Sequence, residues 1–86
     1  MTTDNVTYLS AVRNGEFVRV RALGGGHRFL SRLAALGFTP GARLQVVQNY
    51  GHGPIIVSLR DTRIALGRGV AHRILVERLP GGDNGP

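Results

Sequence analysis

The sequence predicts a mainly β protein, a small barrel of about five short strands with one short helix and one helical turn. Five segments alternate apolar and polar residues and are separated by turn residues, which is typical of short antiparallel strands. Only one stretch places apolar residues at helical spacing. The chain has 86 residues and no cysteine. A core of this size therefore has to come from a compact sheet that closes on itself, without disulfides.

The predicted strands are residues 16–22, 42–49, 54–60, 62–66 and 73–78. In the first of them Val18 and Val20 alternate with Arg19, so one face is apolar and the other is cationic. Arg60-Asp61-Thr62-Arg63 is interpreted as the hairpin turn between the third and fourth strands. The segment GRGVAHR, residues 67–73, is short and broken by glycine, and it predicts a single helical turn.

The one predicted helix covers residues 27–36, HRFLSRLAAL. Arg28 and Arg32 fall on one side of it and are expected to be exposed. At about three turns it is too short to be stable alone and must pack on the sheet. The apolar residues of the other side, expected to be buried against the barrel, are Phe29, Leu30, Leu33 and Leu36.

The junction between this helix and the next strand has a specific composition. Gly37 stands where a left-handed residue ends a helix, and Phe38 can then fold back onto Leu33. Pro40 and Gly41 follow as a turn, because proline fixes φ and glycine can adopt a positive φ. The sequence therefore predicts that the short helix is closed tightly over the sheet.

The remaining features predict one domain, residues 8–79, between two flexible ends. Residues 1–7 are polar, and residues 80–86, PGGDNGP, are rich in turn residues. No apolar run approaches the roughly 20 residues of a membrane helix, and the first residues lack a secretory signal pattern. We therefore expect a cytoplasmic protein that does not itself span a membrane.

The charge of the chain is strongly one-sided. Eleven basic residues, all of them arginine, stand against five acidic ones and give a net charge of +6. Guanidinium groups bind carboxylates and phosphates in bidentate fashion. An acidic partner is therefore expected: a protein patch, nucleic acid or an anionic membrane surface.

Candidate chemical groups are few. His27, His52 and His72 are far apart in the chain and show no metal-ligand spacing, so we expect no tightly bound metal and no cofactor. We keep only His52, in a glycine-rich loop, as a candidate contact residue. The chain has no cysteine and no lysine, and its serines lack a nucleophile motif, which argues against enzymatic activity.

Two segments carry a family resemblance. RLAALGFTPGARLQVVQN and GPIIVSLRDTRIALGRGVAHRILVE, with the opening segment LSAVRNGEFVRV, resemble the FeoA family of ferrous iron transport accessory proteins over about residues 8–78. In the first segment the matching motif residues are Arg32, Leu33, Leu36, Gly37, Phe38, Pro40 and Gly41. In the second they are Ile64, Ala65, Leu66, Ala71, Ile74 and Val76. One departure is Asp61, where many relatives have glycine, which indicates a different hairpin turn.

The resemblance implies an SH3-like barrel and a cytosolic accessory role in bacterial ferrous iron uptake. It also implies a partner, FeoB, a membrane iron permease with a cytosolic GTPase domain, which members of the family assemble or regulate. The protein would then lie at the inner face of the membrane through this partner.

Two hypotheses for function follow. In the first, the protein is a non-enzymatic adaptor that docks on FeoB through exposed cations, Arg28, Arg32, Arg63 and Arg68, with His52 as a further candidate. In the alternative, a nucleic-acid-binding small barrel uses the same arginine-rich surface. The chain has only five aromatic residues that could stack on bases, and two of them, Phe29 and Phe38, are expected in the core. The first hypothesis is therefore preferred.

Overall fold

Six strands, two α-helices and one 3-10 turn form in residues 5–80, the part of the chain that the computed structural model describes. The strands are β1 (Val6–Tyr8), β2 (Phe17–Leu23), β3 (Arg43–Gln48), β4 (Ile55–Leu59), β5 (Thr62–Leu66) and β6 (Ile74–Arg78). The helices are α1 (His27–Leu36) and α2 (Arg68–Ala71), and the 3-10 turn is Leu9–Ala11. Residues 1–4 and 81–86, which belong to the two ends we expected to be flexible, lie outside the described residues.

Strand β1 is the main addition to the expected fold, which had five strands. Val6 and Thr7 fall in the segment 1–7 that we expected to be flexible, yet they pair antiparallel with β6, opposite Glu77 and Val76. Three residues are too few to show an alternating pattern in sequence. The strand is therefore held by its pairing, which local sequence does not reveal.

All five strand pairs are antiparallel, in the order β1-β6-β2-β3-β4-β5. The register shifts between Val20 and Ala22 in β2, and between Val46 and Gln48 in β3. Such bulges increase the local twist and bend a strand, so the sheet curves around its apolar face. Within residues 5–80 the ladder does not close, and β1 and β5 remain edge strands. The full closure that the sequence led us to expect is therefore incomplete.

The concave side of the sheet holds one apolar core. Among the described residues no polar or charged residue is buried. Strands β2, β3, β4 and β6 contribute alternate residues to this core, as the period of a half-buried strand requires, and β5 contributes Leu66. The buried residues are Leu9, Val12, Val18, Val20, Leu33, Phe38, Leu44, Val46, Ile55, Val57, Leu59, Leu66, Ala71, Ile74 and Val76.

Helix α1 ends as the sequence predicted. Gly37 has φ of 101°, and its amide donates to the carbonyl of Ala34 at 3.0 Å. The amide of Phe38 donates to the carbonyl of Leu33 at 2.9 Å. These two bonds form a Schellman motif, which satisfies carbonyls that a helix end leaves without partners.

The expected burial of the helix face is only partly correct. Leu33 is 4% exposed, and Phe29 and Leu30 are half-buried. Leu36, however, is 50% exposed, so the prediction that it is buried was wrong. Leu36 lies in the last turn of α1 next to the edge strand β5, where the described chain provides no further strand to cover it.

The turn after α1 is tied directly to β2. Gly41 has φ of 94°, as the sequence predicted. Its amide donates to the carbonyl of Val20 at 2.7 Å, and the amide of Val20 donates to the carbonyl of Ala42 at 2.8 Å. The pairing of β2 with β3 therefore starts at the turn itself.

The β4–β5 hairpin has a two-residue loop. Arg60 and Asp61 have φ of 54° and 66°, and Leu59 pairs with Thr62 across the loop. Two positive φ angles define a type I′ turn, whose twist matches that of the strands. Neither residue is glycine, so the loop carries left-handed strain at both positions.

Candidate partner interface

The exposed side of α1 carries two neighbouring arginines. Arg28 and Arg32 are both exposed and are four residues apart, which places them one turn from each other on the same face. Neither forms an ion pair or a hydrogen bond within the described part of the chain. Both predicted site residues are therefore presented to solvent on a helix whose end is fixed.

A groove of about 290 Å³, lined mostly by apolar residues, lies between α1 and the edge strand β5. Arg32 stands at this groove, and no acidic residue is among the described residues that line it. The exposed part of Leu36 belongs to the same groove. The full lining is Phe29, Arg32, Leu33, Leu36, Ile64, Ala65, Leu66, Gly67 and Val70. The basic side of the helix thus continues into an apolar surface.

Arg63 lies on β5, the strand that forms the other side of this groove, but it does not line the groove itself. It is exposed on β5 and stands opposite Ser58 in the β4–β5 ladder. Its neighbour Ile64 lines the groove. Because successive side chains of a strand point to opposite faces, the side chain of Arg63 points to the outer face of the sheet.

Arg68 is placed differently from our expectation. We expected an exposed cation, but the residue is half-buried. Its guanidinium donates to the Asn49 side-chain oxygen at 2.8 Å and to the Ser10 carbonyl at 3.3 Å. Its Nε is buried and has no hydrogen-bond partner within residues 5–80. The group connects α2 to the 3-10 turn and to the end of β3.

Asn49 is the residue at this connection that sequence reasoning missed. Its Nδ2 donates to the carbonyls of Ser10 at 3.1 Å and Val12 at 2.7 Å. Its Oδ1 accepts from Arg68 and from the amide of Gly51 at 3.0 Å. The only local signal is an asparagine two positions before a glycine, which is a common turn pattern. Its long-range contacts depend on the fold.

The three histidines do not form one site. His27 and His52 are exposed, at the start of α1 and in the loop after β3. His72 Nδ1 is 3.2 Å from the hydroxyl of Ser10, and its ring centroid is 5.2 Å from that of Tyr8. Within residues 5–80 no group of three or more possible protein ligands surrounds a metal position. Neither His52 nor Arg68 is part of the α1–β5 groove.

Aromatic side chains offer little to a nucleic acid. Phe17 and Phe29 each lie beneath an arginine guanidinium, at 5.5 and 5.2 Å from the ring centroid. Phe38 is buried. Among the described aromatics this leaves Tyr8 and Tyr50 exposed, which is too few for a stacking platform. The nucleic-acid alternative is not favoured.

No helix in residues 5–80 is long and apolar enough to cross a membrane. The fold and the surface together define a small, strongly bent antiparallel β-barrel domain with a basic and partly apolar helix face.

The FeoA domain model matches residues 7–78 of the chain. A protein of Methanocaldococcus jannaschii, assigned by inference as Fe(2+) transport protein A, is 38% identical over 77 residues, which are 88% of this chain and 93% of the relative. The chain therefore belongs to the FeoA family. That family consists of Fe(2+) transport accessory proteins and is not a family of enzymes.

Solved structures agree with this assignment. The crystal structure of an iron uptake regulatory protein, FeoA, superposes with a TM-score of 0.82 at 39% identity, over 86% of this chain and 99% of that one. FeoA of Stenotrophomonas maltophilia, complexed with zinc and described as a prokaryotic SH3 domain protein, gives a TM-score of 0.72 at 26% identity, over 83% of this chain and 89% of that one. The SH3-like barrel implied by the family resemblance is thereby confirmed.

Proposed function

We propose that this chain is a non-enzymatic, cytoplasmic accessory protein of ferrous iron uptake that docks on the cytosolic domain of a FeoB-type permease. In this role it assembles or regulates the permease and is held at the inner face of the membrane by it. Membership of the FeoA family and the likeness to Fe(2+) transport protein A support the assignment to iron transport. The docking itself is supported by the surface of α1.

The single observation that carries the proposal is the exposed pair Arg28 and Arg32. Both lie on a helix whose C-terminal end is closed by hydrogen bonds and packed on the core. Because the backbone is already ordered, binding loses less conformational entropy there than on a loop. Guanidinium groups at fixed positions also select acidic partner surfaces and speed up encounter.

The other candidate contacts have unequal support. Arg63 is exposed on the outer face of β5, the strand whose next residue, Ile64, lines the groove, and it adds a cation to the proposed surface. The guanidinium of Arg68 is hydrogen-bonded to Asn49 and Ser10, so we no longer propose it as a contact to the partner. His52 remains a candidate in a separate exposed loop, to be tested if α1 fails.

The proposal is tested by calorimetric titration of the cytosolic domain of a FeoB-type permease with variants of this chain. We expect Arg28→Glu with Arg32→Glu to weaken binding roughly tenfold or more, because two attractive contacts become repulsive. The matched control is Arg13→Glu with Arg19→Glu, which removes the same charge from exposed positions outside α1. The control should bind within about a factor of three of wild type, because salt screens exposed charges that lie far from the binding surface.

Two outcomes would contradict the proposal. If the wild-type chain does not bind the permease domain, the partner is wrong. If both double variants lose affinity equally, the effect comes from net charge and α1 is not the docking face.

A further inference from the structure

The outer edge of β5 carries backbone groups that the sheet does not use. Across a two-residue type I′ loop the flanking pair, here Leu59 and Thr62, exchanges hydrogen bonds, and this pattern recurs at every second residue. Ile64 therefore also bonds to β4. The N–H and C=O groups of Arg63 and Ala65 point away from β4, to an edge on which no described strand pairs.

This edge borders the groove described above. Ile64 points to the side of the sheet that α1 covers, where Leu33 and Leu36 lie across the groove. A chain laid along β5 would place alternate side chains on that side and the rest on the outer face, next to Arg63. An apolar side chain facing inward would cover the exposed part of Leu36.

The charges around the edge select one kind of occupant. Arg32 lines the groove, Arg63 lies on the outer face of β5, and no acidic residue is among the described lining residues. A second copy of this chain carries a net charge of +6 as well and would be repelled. In a segment that alternates acidic and apolar residues, the apolar side chains would face the groove and the carboxylates would face outward, toward the guanidinium group of Arg63.

We propose that the β5 edge binds an extended segment of the partner protein in which acidic and apolar residues alternate, paired as an added strand. This mode of recognition takes affinity from the backbone bonds at Arg63 and Ala65, and specificity from the apolar side chains of the groove and the charge of Arg63. The inference deepens the proposed docking and rests on it for the identity of the partner. The acidic and apolar composition of the segment is inferred only from the residues around the β5 edge and does not depend on which protein is the partner.

The probe is a capped heptapeptide of alternating Glu and Val, compared with the same peptide carrying Lys in place of Glu. In ¹H–¹⁵N spectra we expect the Glu peptide to shift the amides of Arg63 and Ala65 most strongly, and to slow their hydrogen exchange. The Lys peptide should leave them unchanged. Shifts confined to other parts of the chain, or equal shifts with both peptides, would overturn the inference.

Ala65→Pro removes an amide that points away from β4, so the β4–β5 ladder keeps its bonds. We expect this variant to bind the Glu peptide at least roughly tenfold more weakly, while Ala65→Thr, which keeps the amide, binds like wild type. If Ala65→Pro unfolds, Leu36→Ser serves instead, because Leu36 is already half exposed and its change should spare the fold. Unchanged binding by Ala65→Pro would exclude strand addition at this edge, and unchanged binding by Leu36→Ser would exclude an apolar side chain of the peptide over the groove; either result overturns the inference.

The permease domain then separates this inference from the proposed function. If the domain binds wild type and Ala65→Pro equally, docking stands and the β5 edge is not its site. If the domain does not bind at all while the Glu peptide binds the edge, the edge site stands and the permease is the wrong partner. Sedimentation of the free chain shows whether a second copy occupies the edge; a dimer lost in Ala65→Pro would overturn the choice of an acidic partner segment.

Discussion

The amide of Phe38 and the carbonyl of Leu33 are joined by a 2.9 Å hydrogen bond across the end of α1. The bond places the Phe38 ring in the core, where it is 1% exposed. It requires the residue between helix and ring, Gly37, to be left-handed. The tight junction therefore holds the helix on the barrel and fixes the direction of its exposed face.

Gly37→Val should lower the free energy of unfolding by about 1–2 kcal/mol or more, because φ of 101° is strained for a branched residue. A Cβ at this position would also lie 3.1 Å from Leu59 Cδ2. Urea unfolding measures the change. The control is Gly69→Ala in α2, where an added Cβ meets no atom within 4 Å. The control should be neutral or slightly stabilising, and equal losses in both variants would contradict the mechanism.

This junction could be predicted from sequence because its signals are local. Glycine, proline and the apolar period all lie within a few residues of Gly37 and act on the backbone there. Strand β1 and the contacts of Asn49 could not be predicted in this way. They depend on pairing with β6 and on carbonyls of Ser10 and Val12, more than 30 positions away in the sequence.

The candidate site residues also divide into those whose position local sequence predicts and those whose position depends on the rest of the fold. Arg28 and Arg32 were predicted to be exposed from helical periodicity, and they are. Leu36 has the same periodicity as Leu33, yet it is exposed because the sheet ends beside it. Periodicity gives the direction in which a side chain points, but not how far the neighbouring sheet extends. The groove, which depends on that limit, was therefore not foreseen.

Two substitutions in the β4–β5 loop should make the protein more stable. Arg60→Asn with Asp61→Gly should raise the free energy of unfolding by roughly 1 kcal/mol, because Asn-Gly is favoured at the positive φ angles of a type I′ turn. Chemical denaturation and thermal unfolding both measure the change. A loss of stability would indicate that the side chains of Arg60 and Asp61 stabilise the loop by other contacts.

Substitutions of Arg68 and Arg63 should distinguish an arginine that stabilises the fold from one that is only exposed at the surface. Arg68→Met should cost about 1–2 kcal/mol of stability, since hydrogen bonds to Asn49 and Ser10 are lost. Arg63→Met, at an exposed position, should stay within about 0.5 kcal/mol. If the two variants are equally stable, the free-energy cost of burying Arg68 Nε without a partner cancels the gain from its hydrogen bonds to Asn49 and Ser10.

We predict that the protein has no tight iron or zinc site. Its histidines, His27, His52 and His72, stand in different parts of the fold, and the described residues hold no cluster of three possible ligands. Anaerobic calorimetry with Fe(II), and with Zn(II) because a relative was crystallised with zinc, should show no micromolar binding. Micromolar affinity that disappears when one histidine becomes alanine would refute this prediction.

We expect salt to slow association with the permease domain mainly by screening the charges of Arg28 and Arg32 on α1. Exposed charges attract over about 10 Å at 0.1 M ionic strength and over about 3 Å at 1 M. The association rate of the wild-type chain with the permease domain should therefore fall as salt rises. For Arg28→Glu with Arg32→Glu the rate should start lower and depend less on salt, so the two chains converge at high ionic strength. Thermal unfolding of the double variant should match wild type, because both side chains are exposed and neither forms an ion pair within residues 5–80. Parallel salt curves for the two chains would mean that other arginines steer the encounter.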